Sequence, residues 1–284
     1  SEPITDILIH DHIAYCGTRS SSIIVADISI PQRPDIVKIL EIPGDIENMK
    51  IVGRTLYASC GEAGLILFDI STPDTPVLIN IHNTPGNAKN VSFKNDTVFI
   101  ADGESGIYIA DGSNPEALVH ISYCETNGYT NDLVVRGNNI YTADGITGFQ
   151  VVDISDIKNP QLKGNCSTKN PARYISKKDD SVFVTGTLSH QIFNIKNPLN
   201  PLPLYTINFT ETIRNCLLRD KYLFLMGENY GIYIFNILNS AKPEFIKCIR
   251  TEHPVNDIDV LGVYMFAAME SNGVLIFNLS PESP

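Results

Sequence analysis

The chain has 284 residues, of which 43% are hydrophobic and 19% are charged, and its formal net charge is −11 at pH 7. Since so acidic a protein does not attract phosphate backbones or an anionic membrane surface, we expect no nucleic-acid partner. No segment approaches the roughly 18 consecutive apolar residues of a membrane-spanning helix, so we expect no membrane insertion. The length is enough for one large all-β domain or two ordinary domains.

One short pattern, an apolar run that ends in Asp or Asn, recurs along the whole chain. Its seven copies end at Asp27, Asp69, Asp111, Asp153, Asn194, Asn236 and Asn278. Successive copies are 42 residues apart, except for one step of 41 residues. An aromatic residue lies twelve positions before the final residue in six copies, and a Gly lies five positions before it in five copies. Such regularity indicates a repeated structural unit.

Each copy predicts four strands, which we name a to d in chain order. In the fourth copy, strand a covers residues 132–135, strand b residues 140–143 and strand c residues 149–153, and strand d follows Pro160 and runs through about Cys166. These short runs are rich in Ile, Val, Phe and Tyr and are separated by Gly, Pro, Asn and Asp. No window shows the 3.6-residue periodicity of a long helix.

The repeat predicts an all-β fold in which residues 1–284 form a single domain, a seven-bladed β-propeller. A four-stranded sheet of about 40 residues cannot bury both of its faces alone, whereas radial stacking buries each sheet between two neighbours. The nearly continuous apolar runs of strand c agree with sheets that are covered on both faces.

The two ends of the chain predict an incomplete last blade. Strand a of the first copy begins near Ile4, and the residues after Leu279, from Ser280 to Pro284, cannot supply a further strand. We therefore expect a three-stranded seventh blade that closes the ring by packing against the first. The alternative is that the sequence is a fragment of a longer chain whose next residues complete the blade.

Residues 64–76 resemble the LVIVD-repeat family of bacterial and archaeal β-propellers, and residues 148–160 and 22–34 echo the same motif. The resemblance weakens in the last three copies, where Asn194, Asn236 and Asn278 replace the Asp. It implies a propeller of a kind often found in surface or exported proteins. The resemblance brings no catalytic residues, and the Trp that defines WD-repeat propellers is absent from the chain.

Residue types that recur in every copy are interpreted as architecture. The Asp or Asn that ends each strand c precedes a turn, where its side chain can accept a hydrogen bond from the turning backbone. A second ring opens the innermost strands, and backbone capping between blades is its default role, with lining of a ligand funnel as the alternative. This second ring is formed by Asp6, Asn48, Asn90, Asp132, Asn215 and Asp257, with Tyr174 as the odd member.

The departures from the repeat provide the candidate ligand-binding residues. Lys89, Arg173 and Arg214 lie one position before the second ring, with Tyr129 and Tyr174 nearby. Cations that converge at a channel mouth suit a carboxylate or a phosphate. We expect this mouth to bind an anionic group, with Asp6, Asp132 and Asp257 as further candidates. Acidic residues in the b–c turns predict either a rim that attracts a basic protein or simple solubility; these are Glu62, Glu104, Glu228, Glu270, Asp102 and Asp144.

Of the six cysteines, Cys16 and Cys60 lie in or at the end of strand b and Cys216 lies in strand a, while the other three lie on outer strands of separate blades, namely Cys124, Cys166 and Cys248. Outer strands of neighbouring blades splay too far apart for a disulfide, so we predict free thiols. Free thiols favour a reducing compartment such as the cytoplasm, whereas the family resemblance favours export, and the localisation stays open. His10 and His12 lie at a turn without an apparent third ligand, and we predict no metal site and no cofactor.

The sequence favours a non-enzymatic binding or scaffolding module over an enzyme. We expect a monomer that recognises a protein, peptide or glycan through the channel mouth or the acidic rim. The alternative is a hydrolase or lyase at the axial mouth, with Asp6, Asp132 and Asp257 as candidate bases and with Arg173 and Arg214 stabilising an anion. No linear catalytic motif supports that alternative.

Overall fold

The computed structural model describes residues 3–229 and 231–280 as 27 strands in seven antiparallel sheets. Six sheets have four strands and one has three, and in each sheet the strands follow one another in chain order. The predicted seven-bladed propeller with a three-stranded last blade is therefore confirmed. No helix within these ranges is long and apolar enough to cross a membrane.

The strands are numbered in chain order; every blade contributes one a, one b and one c strand, and blades 1 to 6 also contribute a d strand. The a strands are β1 (Ile4–His10), β5 (Asn48–Val52), β9 (Asn90–Lys94), β13 (Asp132–Arg136), β17 (Ala172–Lys178), β21 (Ile213–Arg219) and β25 (Val255–Leu261). The b strands are β2 (Ile13–Thr18), β6 (Thr55–Ser59), β10 (Thr97–Ala101), β14 (Asn139–Ala143), β18 (Ser181–Gly186), β22 (Tyr222–Gly227) and β26 (Tyr264–Met269). The c strands are β3 (Ser22–Asp27), β7 (Leu65–Asp69), β11 (Ile107–Asp111), β15 (Phe149–Asp153), β19 (Ser189–Asn194), β23 (Gly231–Asn236) and β27 (Gly273–Asn278). The d strands are β4 (Asp35–Glu41), β8 (Val77–His82), β12 (Val119–Cys124), β16 (Gln161–Cys166), β20 (Leu202–Asn208) and β24 (Glu244–Ile249).

Blade 1 comprises β1–β4, each following blade takes the next four strands, and blade 7 comprises β25–β27. The a strands of neighbouring blades contact each other all round the ring, which places them at the central axis. The a–b hairpins turn at a left-handed residue that is Gly, Asn or Asp in every blade, as tight hairpins require. These residues have φ between 50° and 60° and are Asp11, Gly53, Asn95, Gly137, Asp179, Asp220 and Gly262.

The recurring Asp or Asn at the end of strand c stabilises the turn that follows it. In blade 2, Asp69 Oδ1 accepts a hydrogen bond from the backbone N–H of Ser71 at 2.8 Å. The same bond occurs in all seven blades. These carboxylates and amides therefore have the structural role expected from the sequence, because each one replaces a backbone partner in the turn.

The core consists of seven apolar clusters, each lying between two neighbouring blades. The recurring aromatic residue of strand b belongs to these clusters: Tyr15, Phe99, Phe183 and Phe266 are at most 1% exposed. Each sheet is thus buried on both faces by its neighbours, as the apolar runs predict.

The ring closes by contacts between blade 7 and blade 1. Phe266 and Ile276 of blade 7 share an apolar cluster with Ile7 and Ile24 of blade 1. The backbone N–H of Ile7 donates to Asp257 Oδ2 at 3.1 Å. Packing and side-chain hydrogen bonds therefore join the first and last blades among the described residues. The expectation that Ser280–Pro284 adds no strand concerns mainly residues 281–284, which lie outside the described part.

Candidate functional site

The mouth of the axial channel, at the end where the a strands begin, contains a polar cavity of about 680 Å³. The second ring defined from the sequence is called the inner ring from here on. The residues one position before each of its members surround the cavity, and we call these seven residues the mouth ring. The mouth ring consists of Thr5, Glu47, Lys89, Asn131, Arg173, Arg214 and Asn256, and all seven line the cavity. The predicted cations therefore do converge at one site.

Two of the three predicted cations are paired with acidic residues. Lys89 Nζ lies 2.6 Å from Glu47 Oε1, on the neighbouring blade. Arg214 lies 3.2 Å from Glu228 and 2.9 Å from Glu270. These contacts neutralise Lys89 and Arg214, so neither is available as a free anion-binding group.

Arg173 is the exception in the mouth ring. Its side chain is exposed and forms no hydrogen bond or ion pair with any residue of the described ranges. The next residue, Tyr174, also lines the cavity and replaces the Asp or Asn of the other blades. Burial raises the pKa of Tyr174 to about 12, so its hydroxyl stays protonated as a hydrogen-bond donor at neutral pH. Blade 5 thus contributes two donor residues, Arg173 and Tyr174, to the lining of one cavity.

The uncharged members of the mouth ring form hydrogen bonds between neighbouring blades. Thr5 Oγ1 donates to the carbonyl of Ile46 in blade 2 at 3.0 Å. Asn256 Nδ2 donates to the carbonyl of Ile4 across the ring closure at 2.7 Å. In blade 4, Asn131 Nδ2 donates in the same way to Ala172 at 3.2 Å. Thr5, Asn131 and Asn256 therefore have a structural role. Arg173 differs from them because its side chain forms no hydrogen bond or ion pair with a neighbouring blade among the described residues.

The predicted carboxylates of the inner ring are not among the residues that line the cavity. Asp132 is 6% exposed, and its two oxygens accept hydrogen bonds from the backbone N–H groups of Leu133 and Ile175 at 2.7 and 2.8 Å. Asp6 accepts a hydrogen bond from the backbone N–H of Met49 at 2.9 Å. Each carboxylate therefore caps backbone of the neighbouring blade, which supports the structural interpretation of this ring.

Burial raises the pKa of the inner-ring carboxylates. It raises the pKa of Asp132 to about 6, against the lowering effect of Lys50 and of two backbone hydrogen bonds. Burial also raises the pKa of Asp6 and of Asp257. Removing a carboxylate from water disfavours its charged form, so the channel wall takes up protons at a higher pH than an exposed carboxylate would.

Sequence reasoning missed the charged groups deeper in the channel. Lys50 donates from Nζ to the carbonyl of Val91 at 2.7 Å, and burial lowers its pKa. Asp259 accepts a hydrogen bond from the N–H of Ile9 at 2.8 Å and pairs with Arg219. Lys50 and Asp259 each lie two positions after an inner-ring residue, on the same face of strand a. Comparing this position across the seven copies of the sequence could have found them.

Tyr129 does not belong to the cavity lining. Its ring lies against the b–c turn of blade 3, where a Cβ added to Gly103 would come within 2.9 Å of Tyr129 Cζ. The mouth therefore contains one tyrosine of the predicted pair, Tyr174.

The acidic rim is smaller than the sequence suggests. Asp102 and Asp144 are fully buried and accept hydrogen bonds from Thr84 and Thr130 at 2.6 and 2.8 Å. Glu228 and Glu270 pair with Arg214, as described above, and only Glu62 and Glu104 of the six predicted acids are both exposed and without an ion pair among the described residues. All six cysteines are free, and Cys16, Cys60 and Cys124 are buried.

Seven radial sheets around a channel define a seven-bladed β-propeller. The model of the LVIVD repeat matches three consecutive segments, residues 43–84, 85–126 and 127–168, which correspond to blades 2, 3 and 4. Over these three blades the chain is similar to the LVIVD repeat, in agreement with the resemblance seen in the sequence. A search of the curated proteins finds no match.

A solved structure supports the fold independently of the repeat. The crystal structure of the computationally designed protein Ika8 superposes with a TM-score of 0.72 and covers 98% of this chain and 96% of its own. The sequence identity is 10%, so the similarity concerns the fold alone.

Proposed function

We propose that the protein is a non-enzymatic binding module that holds a protein, peptide or glycan partner at the axial mouth. The observation that carries this proposal is Arg173, a cation without an acidic partner in the described chain, next to the unpaired phenol of Tyr174 in a cavity of about 680 Å³. A guanidinium binds carboxylates with two parallel hydrogen bonds, and a neutral phenol can supply a third.

The charges around Arg173 favour one kind of ligand. Asp45, Glu47 and Glu228 line the same cavity, and Glu62 and Glu104 lie in the surrounding turns. A polyanion is repelled by these acids and by the net charge of −11. A single carboxylate flanked by neutral or cationic groups suits this site. The carboxylate can pair with Arg173, and the flanking groups are not repelled by the acidic residues.

The proposal is tested with arrays of peptides and glycans that carry one carboxylate, probed with wild-type protein and with the Arg173→Gln variant. A charge-assisted hydrogen bond contributes about 1.5–3 kcal/mol, so the substitution is expected to weaken binding by roughly 10- to 100-fold. Arg33→Gln is the matched control, because Arg33 is exposed in the c–d turn of blade 1. Wild-type affinity in Arg173→Gln for every ligand found would refute the proposal.

A further inference from the structure

Among residues 3–229 and 231–280, no strand pairs with the outer edge of β27 in blade 7, unlike the same edge in the other six blades. In blades 1 to 6 the c strand pairs with both strand b and strand d, whereas β27 pairs with β26 alone within the described residues. Val274, Ile276 and Phe277 are half-buried and Leu275 is 38% exposed. The residues equivalent to Ile276 are all buried; they are Val25, Leu67, Ile109, Val151, Ile192 and Ile234.

The sequence of this edge lacks the charges and the proline that often protect a free strand. Residues 273–278 contain no Lys, no Pro and no charged side chain. A groove of about 420 Å³ lies beside it on blade 1, and its lining includes Ile24, Ile39 and Glu41. Ile24 belongs to the same apolar cluster as Val274 and Ile276, so the groove and the free edge adjoin each other.

We propose that the edge of β27 binds an extended segment of a partner polypeptide, which adds to blade 7 as an antiparallel fourth strand. The other six blades show what this position accepts. Each holds a d strand of six or seven residues, and each d strand has a bulge before the last two residues of the c strand. In blade 1 the bulge lies between Val25 and Ala26, and the extra residue of the d strand is Val37.

The d strands also define the chemistry of the segment. The extra residue of the bulge is aliphatic in five of the six blades: Val37, Ile79, Ile121, Leu204 and Ile246, with Lys163 in blade 4. The residue opposite the equivalent of Val274 is Leu40, His82, Cys124, Cys166, Ile207 or Ile249. A segment with an aliphatic bulge residue and an apolar residue three positions later therefore matches the edge.

A polar residue directly after the bulge completes the pattern. In blades 1 to 3 this residue donates to a carbonyl in the c–d turn of the next blade: Lys38 to Pro76 at 3.2 Å, Asn80 to Pro115 at 3.1 Å and Ser122 to Ile157 at 2.6 Å. Around the ring, the blade after blade 7 is blade 1, so the partner's donor meets the c–d turn at residues 28–34.

A second copy of β27 does not meet these requirements. The ladder between β26 and β27 is regular from Met269 with Gly273 to Tyr264 with Asn278. A bulge in a second copy would have to break that ladder, whereas a separate segment bulges without cost to another sheet. The observations therefore favour a partner segment over edge-to-edge dimerisation.

The experiment uses a fluorescent peptide with the sequence of residues 33–42, the strand d that the chain itself uses in blade 1. We expect saturable binding in fluorescence anisotropy and slower amide exchange at residues 274–278 when the peptide is bound. A peptide that lacks Val37 cannot form the bulge and is expected to bind at least about tenfold more weakly.

Two protein variants separate the edge from the rest of the surface. Leu275→Lys places a lysine on the free edge and is expected to weaken peptide binding by about tenfold or more. Ile146→Lys is the matched control, since Ile146 is 88% exposed in the b–c turn of blade 4 and should leave binding unchanged. Absence of saturable binding, equal binding of both peptides, or a wild-type dimer whose β27 amides are already protected would each overturn the proposal. The mouth is not involved, so its ligand binding is tested separately.

Discussion

Replacing Asp132 by Asn is expected to change how the stability of the propeller depends on pH. Asp132 is 6% exposed, and burial raises its pKa from 3.8 to about 6. Between these two values the folded state binds more protons than the unfolded state, so the free energy of unfolding falls as pH rises. The contribution of Asp132 is complete below about pH 4 and is lost as pH rises through about 6.

The size of the effect follows from the shift. A difference of about 2 pKa units corresponds to about 3 kcal/mol between the two ends of the window. Asn cannot ionise, so the variant lacks this loss, although it keeps only one acceptor for the N–H groups of Leu133 and Ile175. We expect Asp132→Asn to be less stable than wild type at pH 4 and to gain about 3 kcal/mol relative to wild type by pH 7.

Urea unfolding followed by circular dichroism between pH 4 and pH 8 measures this difference. Asp153→Asn is the matched control in the same blade. Hydrogen bonds from Ser155 lower the pKa of Asp153, so above about pH 5 Asp153 is ionised in both the folded and the unfolded state. Above this pH the control should therefore run parallel to wild type. Parallel curves for Asp132→Asn and wild type would refute the assignment of a raised pKa to this buried carboxylate.

Three further predictions test the fold. Phe266→Ala empties the cluster that joins blade 7 to blade 1, where Phe266 is 1% exposed, and should cost about 3–5 kcal/mol in urea unfolding; a cost below about 1 kcal/mol would argue against that interface. Gly106→Ala places a Cβ 2.4 Å from the carbonyl oxygen of Cys124, at a residue whose φ is +74°. It should lower the melting temperature far more than Gly137→Ala, whose added Cβ has no atom within 4 Å. Equal effects of the two substitutions would contradict this turn geometry. A thiol reagent should count six cysteines in urea without reductant and react slowly with the buried thiols of the native protein; fewer than six would reveal a disulfide.

The sequence predicted the fold because the repeat constrains every blade in the same way. The final Asp or Asn of strand c, the aromatic of strand b and the Gly before strand c each occupy a position with one physical requirement: a turn acceptor, a filled interface and a left-handed backbone. Requirements that recur in five to seven of the copies can be recognised without a structure. The same frame predicted the three strands that the described residues form in blade 7.

The site was predicted only in part, because charge pairing depends on neighbours that are 14 or more residues away. Lys89 and Arg214 lie at the mouth as expected, but Glu47 and Glu228 neutralise them. The signal for the first pair was present, since Glu47 and Lys89 occupy the same position in adjacent blades. The position of Tyr129 depends on the packing of its ring on Gly103, which the spacing of residues does not determine.

Arg173 is the residue on which the functional account depends most. NMR of protein with isotopically labelled arginine follows each guanidinium separately during a titration with acetate. The signal that is missing in the Arg173→Gln variant is assigned to Arg173. The account predicts a saturable shift of the Arg173 signal, with little change at Arg214, which already pairs with Glu228 and Glu270. An unmoved Arg173 signal, or equal shifts at Arg173 and Arg214, would contradict it.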